Sequence, residues 1–180
     1  MKRVLVPIAD GCEEIETVAL IDVLRRAGAQ VTVASVGQLQ ITASRGVKFV
    51  ADCLIEECSG NEFDLIALPG GIPGSEYLRD SEILIDMLKQ QQRLGKLIAA
   101  ICAAPAVVLQ HHGLIGHRNA TCHPGRADDL PKWGKERVIK DGNLITSQGP
   151  GTALEFALKL VECLYDEPKS SEIASAMIMP

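Results

Sequence analysis

An α/β fold with a mostly parallel central sheet and helices on both faces is predicted by three observations. Short apolar runs alternate with amphipathic stretches along the whole chain, the pattern of repeated βαβ units. The composition is 47% hydrophobic but only 3% aromatic, so the core is filled by Val, Ile, Leu and Ala, as in a sheet buried on both faces. Finally, the apolar run Lys96–Ile101 stops at Cys102, and the small residues Ala103-Ala104-Pro105 then open a helix. That is the shape of a nucleophile elbow, a sharp strand-to-helix turn that holds one reactive side chain at the sheet edge. At 180 residues the chain fits one domain, residues 1–180.

Arg3–Ile8 is the first strand, because its run of Val, Leu and Ile leads straight into Ala9-Asp10-Gly11. A helix follows over Glu13–Ala27, with acidic residues in its first turn, Arg25 and Arg26 in its last, and Gly28 as its stop. Gln30–Val36 alternates as a strand and closes the first βαβ unit. Leu39–Thr42 and Val47–Ala51 flank Ser44-Arg45-Gly46 and form a hairpin. The apolar strand Asp64–Leu68 ends at Pro69-Gly70-Gly71, and a helix is expected over Ser81–Leu94, where Ile83, Leu84, Met87 and Leu88 recur at helical spacing. The Cys102 strand and a helix over Ala103–His112 complete another unit. A loop covers Pro124–Trp133, short strands cover Arg137–Lys140 and Leu144–Ser147, and a helix runs from Thr152 to Leu164. Pro168 ends the link to a short C-terminal helix.

Charge and cysteine usage narrow the functions. A net charge of -5 without a Lys/Arg cluster argues against nucleic acid as a primary partner. No stretch approaches the roughly 18 apolar residues of a membrane span. Six cysteines, at 12, 53, 58, 102, 122 and 163, contain no C-x-x-C pair and are expected as free thiols in a cytoplasmic protein. The G-x-G-x-x-G pattern and the P-loop lysine are both missing, so no phosphate cofactor, and no cofactor or metal of any kind, is expected.

A thiolate nucleophile needs a proton partner, donors for a developing oxyanion, and an acid or base within reach. Cys102 lies at a helix N-terminus, which favours a thiolate; the competing reading is a packing cysteine, since free Cys is commonly buried. Glu13, Glu14 and Glu16 open the first helix, and for Glu13 and Glu14 complementing the helix dipole is explanation enough. Glu16 shares a face with Leu20 and Val23, so it is expected to point inward with a raised pKa. Gly70 and Gly71 allow backbone N–H groups to face a ligand, or form an ordinary tight turn. His111 and His112 end a helix, and His117 sits in a polar loop. His123 follows Ala120-Thr121-Cys122 at a strand end, a position suited to a site residue, although lone loop histidines are commonly structural. Arg45 is otherwise a hairpin-tip cation.

Several separate segments together resemble the ThiJ/PfpI superfamily, in the branch of the bacterial ThiJ/YajL proteins and the Parkinson-associated deglycase. They are Glu13-Glu14-Ile15-Glu16-Thr17-Val18, Arg25-Arg26-Ala27-Gly28, Ser44-Arg45-Gly46-Val47, Leu68-Pro69-Gly70-Gly71, Ala99 to Pro105, Cys122-His123-Pro124 and Thr146 to Thr152. The resemblance implies a flavodoxin-like sandwich and a homodimer. It implies an easily oxidised Cys102, a protonated Glu16 hydrogen-bonded to it, an oxyanion pocket from the amides of Gly71 and Ala103, a neighbouring His123, and an Arg45 reaching in from the dimer partner. Dimer contacts are sought on the first helix, at Val18, Ala19, Ile21 and Asp22.

The resemblance also implies the chemistry. Members of this branch convert methylglyoxal or glyoxal to hydroxy acids without a cofactor, are associated with repair of early glycation adducts, and act as oxidative-stress chaperones. The expected function is thus a cysteine-dependent glyoxalase or deglycase acting on small 2-oxoaldehydes or their adducts; the alternative is a redox-sensing chaperone triggered by Cys102 oxidation. Protease-like relatives place His directly after the nucleophile and amidotransferase relatives carry a late His-x-Glu pair. Here residue 103 is Ala and no His-x-Glu occurs, so neither chemistry is supported. Cys122 before His123 places a second thiol near the pocket and raises a Cys102–Cys122 disulfide as a hypothesis.

Overall fold

The computed structural model describes residues 1–179; Pro180, the last residue of the expected 1–180 domain, lies outside the described residues. Its frame is a seven-stranded sheet built from β1 (Arg3–Ile8), β2 (Gln30–Ser35), β5 (Cys53–Leu54), β6 (Leu65–Leu68), β7 (Leu97–Ile101), β8 (Val138–Asp141) and β9 (Leu144–Ser147). The strand order is β5-β2-β1-β6-β7-β9-β8. Every pairing is parallel except β8 with β9, so the sheet is of the expected mostly parallel, flavodoxin-like kind. A separate antiparallel hairpin pairs β3 (Gln40–Thr42) with β4 (Lys48–Val50).

The strands are apolar throughout because both faces are covered. Val4, Val6 and Ile8 of β1 point to one core cluster while Leu5 points to the other, and β6 and β7 divide in the same way: Leu65, Ala67, Ala99 and Ile101 on one side, Ile66, Leu68, Ile98 and Ala100 on the other. The first face is covered by α1 (Glu14–Arg26), α4 (Ala153–Leu164) and Ile173 of α5 (Glu167–Ala176). Phe156 and Leu160 of α4 and Leu20, Val23 and Leu24 of α1 are at most 1% exposed there. The second face is covered by Leu78 of α2 (Gly74–Asp80), by α3 (Glu82–Arg93) and by the segment after β7. Among the described residues no helix is long and apolar enough to cross a membrane.

Boundaries follow local chemistry. Glu13 caps α1 by accepting from the Glu16 N–H at 2.8 Å, and Gly28 takes φ 86° just beyond its end. Ser81 caps α3. Three features depart from the sequence expectations. The helix expected over Ala103–His112 is a wide, π-helical turn confined to Pro105–Gln110. Pro105 has no N–H to donate, and the elbow takes up Ala103 and Ala104. The expected loop at Pro124–Trp133 begins as a 3-10 helix, Pro124–Asp129. Pro168 lies in the first turn of α5, where its missing N–H costs nothing, rather than ending the link before it. α2 and β5 carry no periodic pattern long enough to announce them.

Candidate active site

β6 and β7 end side by side, Leu68 pairing with Ala100 and Ala67 with Ala99, so the turns that follow them meet above the sheet. Cys102 follows β7 directly and holds φ 63°, a left-handed conformation that costs a non-glycine residue about 1–3 kcal/mol and persists only where its surroundings impose it. Three contacts do so. The Cys102 N–H donates to the Ser147 carbonyl of β9 at 3.0 Å, the His123 N–H donates to the Cys102 carbonyl at 2.8 Å, and Ser147 is itself fixed through its hydroxyl, 2.6 Å from that of Thr152. The elbow expected at Cys102 is therefore present, with its side chain partly buried against the α1 face of the core.

The N-terminus of α1 is stitched to the turn after β6. The Glu13 N–H donates to the Gly70 carbonyl at 2.9 Å, and the Gly70 N–H donates to Glu16 Oε2 at 2.8 Å. Glu16 has no exposed surface, as its shared face with Leu20 and Val23 predicts. Its other oxygen, Oε1, has no hydrogen-bond partner among the described residues, and the carboxyl stands beside the Cys102 thiol. Gly70 is where it is because of space: a Cβ there would stand 2.6 Å from the Cys102 Cβ and 2.8 Å from Glu16 Oε2. Gly71 takes φ 92°, and with Ala103 it directs a backbone N–H at the Cys102 sulfur.

Burial sets the electrostatics. It pushes the Glu16 carboxyl from 4.5 up to about 7, against the opposing hydrogen bonds from Gly70 and Cys102. The Cys102 thiol is pushed up to about 12, first by burial, then by the negative charge and acceptor oxygen of Glu16, while the N–H groups of Gly71 and Ala103 pull it down. Helix position alone therefore does not make this thiol acidic. When Glu16 carries the proton, its charge vanishes and its O–H becomes a donor to sulfur, so both Glu16 contributions reverse. A thiolate at Cys102 is compatible with a protonated Glu16 and opposed by an ionised one.

A sequence profile described as the DJ-1/PfpI family matches residues 2–163. The chain belongs to the DJ-1/PfpI family. It is similar to two Arabidopsis thaliana proteins, Protein DJ-1 homologs B and A, with 49% and 45% identity over 98% and 99% of this chain, but spans only 41% and 47% of their lengths. It is 37% identical to the Glutathione-independent glyoxalase DJR-1.2 of Caenorhabditis elegans, over 98% of this chain and 95% of that one. The solved structure of oxidized Toxoplasma gondii DJ-1 superposes with a TM-score of 0.98 at 48% identity, covering 99% of each chain.

The structure of this DJ-1/PfpI chain brings together Cys102, Glu16, Gly70, Gly71 and Ala103. It places His123 and Arg45 differently. His123 joins the elbow through its backbone, while its exposed ring accepts the Gly125 N–H on Nδ1 at 3.1 Å. The neutral ring therefore carries its proton on Nε2. Arg45 is exposed, and its guanidinium contacts the Ser44 carbonyl at 3.3 Å rather than Glu16 or Cys102. Glu14 does more than complement the helix dipole. It accepts from the Ser44 hydroxyl at 2.8 Å and from the N–H groups of Arg45 and Val47, fixing the hairpin tip that presents Arg45. Ser147, the brace of the elbow, was legible only as the end of a strand. Cys122 is not in contact with Cys102: it is fully buried in the cluster on the other face of the sheet, with its thiol donating to the His123 carbonyl at 3.4 Å. The dimer expectation at Ala19 also fails locally, since Ala19 is a core residue at 6% exposure. No three His, Cys, Asp or Glu side chains converge as a metal site among the described residues.

Proposed function

We propose that this chain is a cofactor-independent glyoxalase or deglycase that uses Cys102 as its nucleophile on methylglyoxal, glyoxal or their early adducts, in defence against carbonyl stress. The observation that carries the proposal is the fully buried Glu16 carboxyl set beside the Cys102 thiol, across the space that Gly70 leaves open, with the Gly71 and Ala103 N–H groups lowering the thiol's pKa. The glyoxalase name of the Caenorhabditis elegans relative supports the same chemistry. With Glu16 protonated, the Cys102 thiolate adds to the aldehyde carbon of the 2-oxoaldehyde. The new oxyanion is held by the two N–H groups and takes a proton from Glu16. The resulting carboxylate removes the proton from the former aldehyde carbon and returns it to the neighbouring carbon, while the proton on the first hydroxyl passes to the second carbonyl oxygen, which becomes the new hydroxyl. His123 Nε2–H is the second candidate for this proton transfer. The hemithioacetal thereby becomes a lactoyl thioester, and water releases lactate and regenerates the thiol.

The proposal extends to a cytoplasmic homodimer in which Arg45 completes the partner's pocket. Ile15 and Val18 support it: they are 58% and 48% exposed on α1, apolar surface that a second copy would cover. A redox-sensing chaperone is the second reading, favoured by the partial exposure of Cys102 and by the oxidized state of the Toxoplasma gondii relative. Lactate formation from methylglyoxal without glutathione, measured for the reduced protein and for Cys102→Ser, decides between them. Turnover lost in Cys102→Ser supports the enzyme. No turnover from demonstrably reduced Cys102 overturns it and leaves the chaperone.

A further inference from the structure

A second pair of thiols meets at the far edge of the sheet. β5 is the outermost strand beside β2, with Cys53 paired to Ala34. The chain then turns directly into the 3-10 helix Ile55–Cys58, which carries Cys58 back beneath Cys53. Their sulfurs lie 3.6 Å apart, and both thiols are free. Cys53 is partly exposed, whereas Cys58 is 2% exposed and packs with Phe63 and Ile66 in the second core cluster. A disulfide bond is about 2.05 Å long, so closure requires the sulfurs to approach by roughly 1.5 Å, a movement within reach of side-chain rotation. Among the described residues no other two sulfurs lie within hydrogen-bonding reach.

We propose that Cys53 and Cys58 form a second, reversible oxidation site, in which a hydroperoxide oxidises Cys53 and Cys58 closes the product to a disulfide. The Cys53 thiolate attacks one peroxide oxygen, the O–O bond breaks, and hydrogen peroxide is reduced to water as the sulfur becomes a sulfenic acid. The Cys58 sulfur then attacks the Cys53 sulfur. The S–O bond breaks, and the hydroxyl leaves as water with the Cys58 proton. Two thiols have lost two hydrogens and two electrons to one peroxide. The order follows from access and acidity: burial, then the neighbouring Cys53, push the Cys58 thiol up to about 12, so it is the resolving and not the attacking sulfur.

The pair differs in outcome from Cys102. Cys102 has no thiol partner, because Cys122 faces the other core cluster, so its sulfenic acid is open to further oxidation to the irreversible sulfinic acid. Cys53 has a partner in contact, which stops oxidation at a level that a dithiol reverses. The test treats the wild type and Cys102→Ser with equimolar hydrogen peroxide, alkylates the remaining thiols and maps tryptic peptides. Phe49 to Arg79 contains both cysteines and no internal Lys or Arg, whereas Cys102 falls in a different peptide. The expected product is a Phe49–Arg79 peptide two hydrogens lighter and closed to alkylation, in both proteins, reopened by dithiothreitol. In Cys58→Ser the same peptide should instead show a dimedone-trapped sulfenic acid on Cys53. Full alkylation of both cysteines while the wild-type Cys102 peptide has gained oxygen would overturn the proposal, as would cross-linking between molecules in place of the internal bond.

Discussion

Replacing Glu16 by Gln tests the central electrostatic claim without using activity as its only readout. Folding raises the carboxyl from 4.5 to about 7, so between those values the folded chain holds a proton that the unfolded chain has released. Stability attributable to Glu16 is therefore complete below about pH 4.5 and is lost as pH rises through about 7. At about 1.4 kcal/mol per pH unit, the loss amounts to about 3 kcal/mol, with no discount for solvent because the side chain has no exposed surface. Gln imitates the protonated form: its oxygen can accept from Gly70 and its amide can donate to Cys102, but it does not titrate. In urea denaturation at pH 5, 6, 7 and 8, the stability difference between Glu16→Gln and wild type should move in favour of the variant by about 2 to 3 kcal/mol from the lowest to the highest pH, since part of the contribution is already gone at pH 5. Turnover of methylglyoxal should fall on the order of 10²- to 10⁴-fold, because an amide cannot take the proton back. Stability curves that run parallel across this range would mean that Glu16 titrates normally in the fold, and the thiolate scheme would lose its proton partner.

Gly70→Ala should lose turnover and about 1–3 kcal/mol of stability by thermal denaturation, because its Cβ would stand 2.6 Å from the Cys102 Cβ and 2.8 Å from Glu16 Oε2. Gly28→Ala is the control: with φ 86° and no atom within 4 Å of a Cβ, it should cost about 1–2 kcal/mol through backbone strain and leave turnover unchanged. Glu14→Gln should destabilise by about 1–2 kcal/mol and speed amide exchange at Arg45 and Val47, whose N–H groups the carboxylate accepts. Burial acts to raise the Glu14 carboxyl, but the Ser44 hydroxyl and backbone N–H groups outweigh it and hold it below its usual value, so this contribution is present at neutral pH and fades as pH falls through the carboxylate range. Phe156→Ala, at a fully buried α4 position between the helices and the sheet, should cost about 3–5 kcal/mol in denaturant titration.

What was legible in the sequence is what short-range physics determines. The first strand, the hairpin, the capped helix at Ser81 and the elbow follow from runs, caps and breakers a few residues long, and Glu16 was placed inward by its spacing from Leu20 and Val23 alone. Contacts distant in sequence were not legible. Nothing local connects Glu14 to Ser44, Arg45 and Val47, about thirty residues onward, so its acidic position at a helix start was explained by the dipole instead. Cys122 illustrates the same limit. Its neighbour His123 meets the elbow through its backbone N–H, whereas the Cys122 thiol packs in the core cluster on the opposite face of the sheet from Cys102. For Cys102 the helix N-terminus is a local cue, whereas the desolvation and the Glu16 charge that push its thiol up come from packing and are not readable in the sequence.

The strain at Cys102 has a structural rationale that packing does not supply. A chain needing only to pass from β7 into the following helical turn could place glycine at φ 63° at no steric cost, as it does at nine other positive-φ positions among the described residues. Cysteine at this point is held there by contacts from three separate places: Ser147 from β9, His123 from the following loop, and Gly70, whose missing Cβ leaves the space that the sulfur and Glu16 occupy. Ser147 lies at the end of β9 and Gly70 in the turn after β6, at the same edge of the sheet as the end of β7. The parallel register of β6, β7 and β9 therefore does two things at once: it buries both faces of the strands and converges their ends on one side chain. Glu16, delivered by the first turn of α1 beside them, is the only carboxyl without exposed surface among the described residues, and it opposes the thiolate unless it carries a proton. A strained cysteine and a desolvated carboxyl each cost stability alone, and the proposed proton transfer between carboxyl, sulfur and substrate is a use that requires the two side by side.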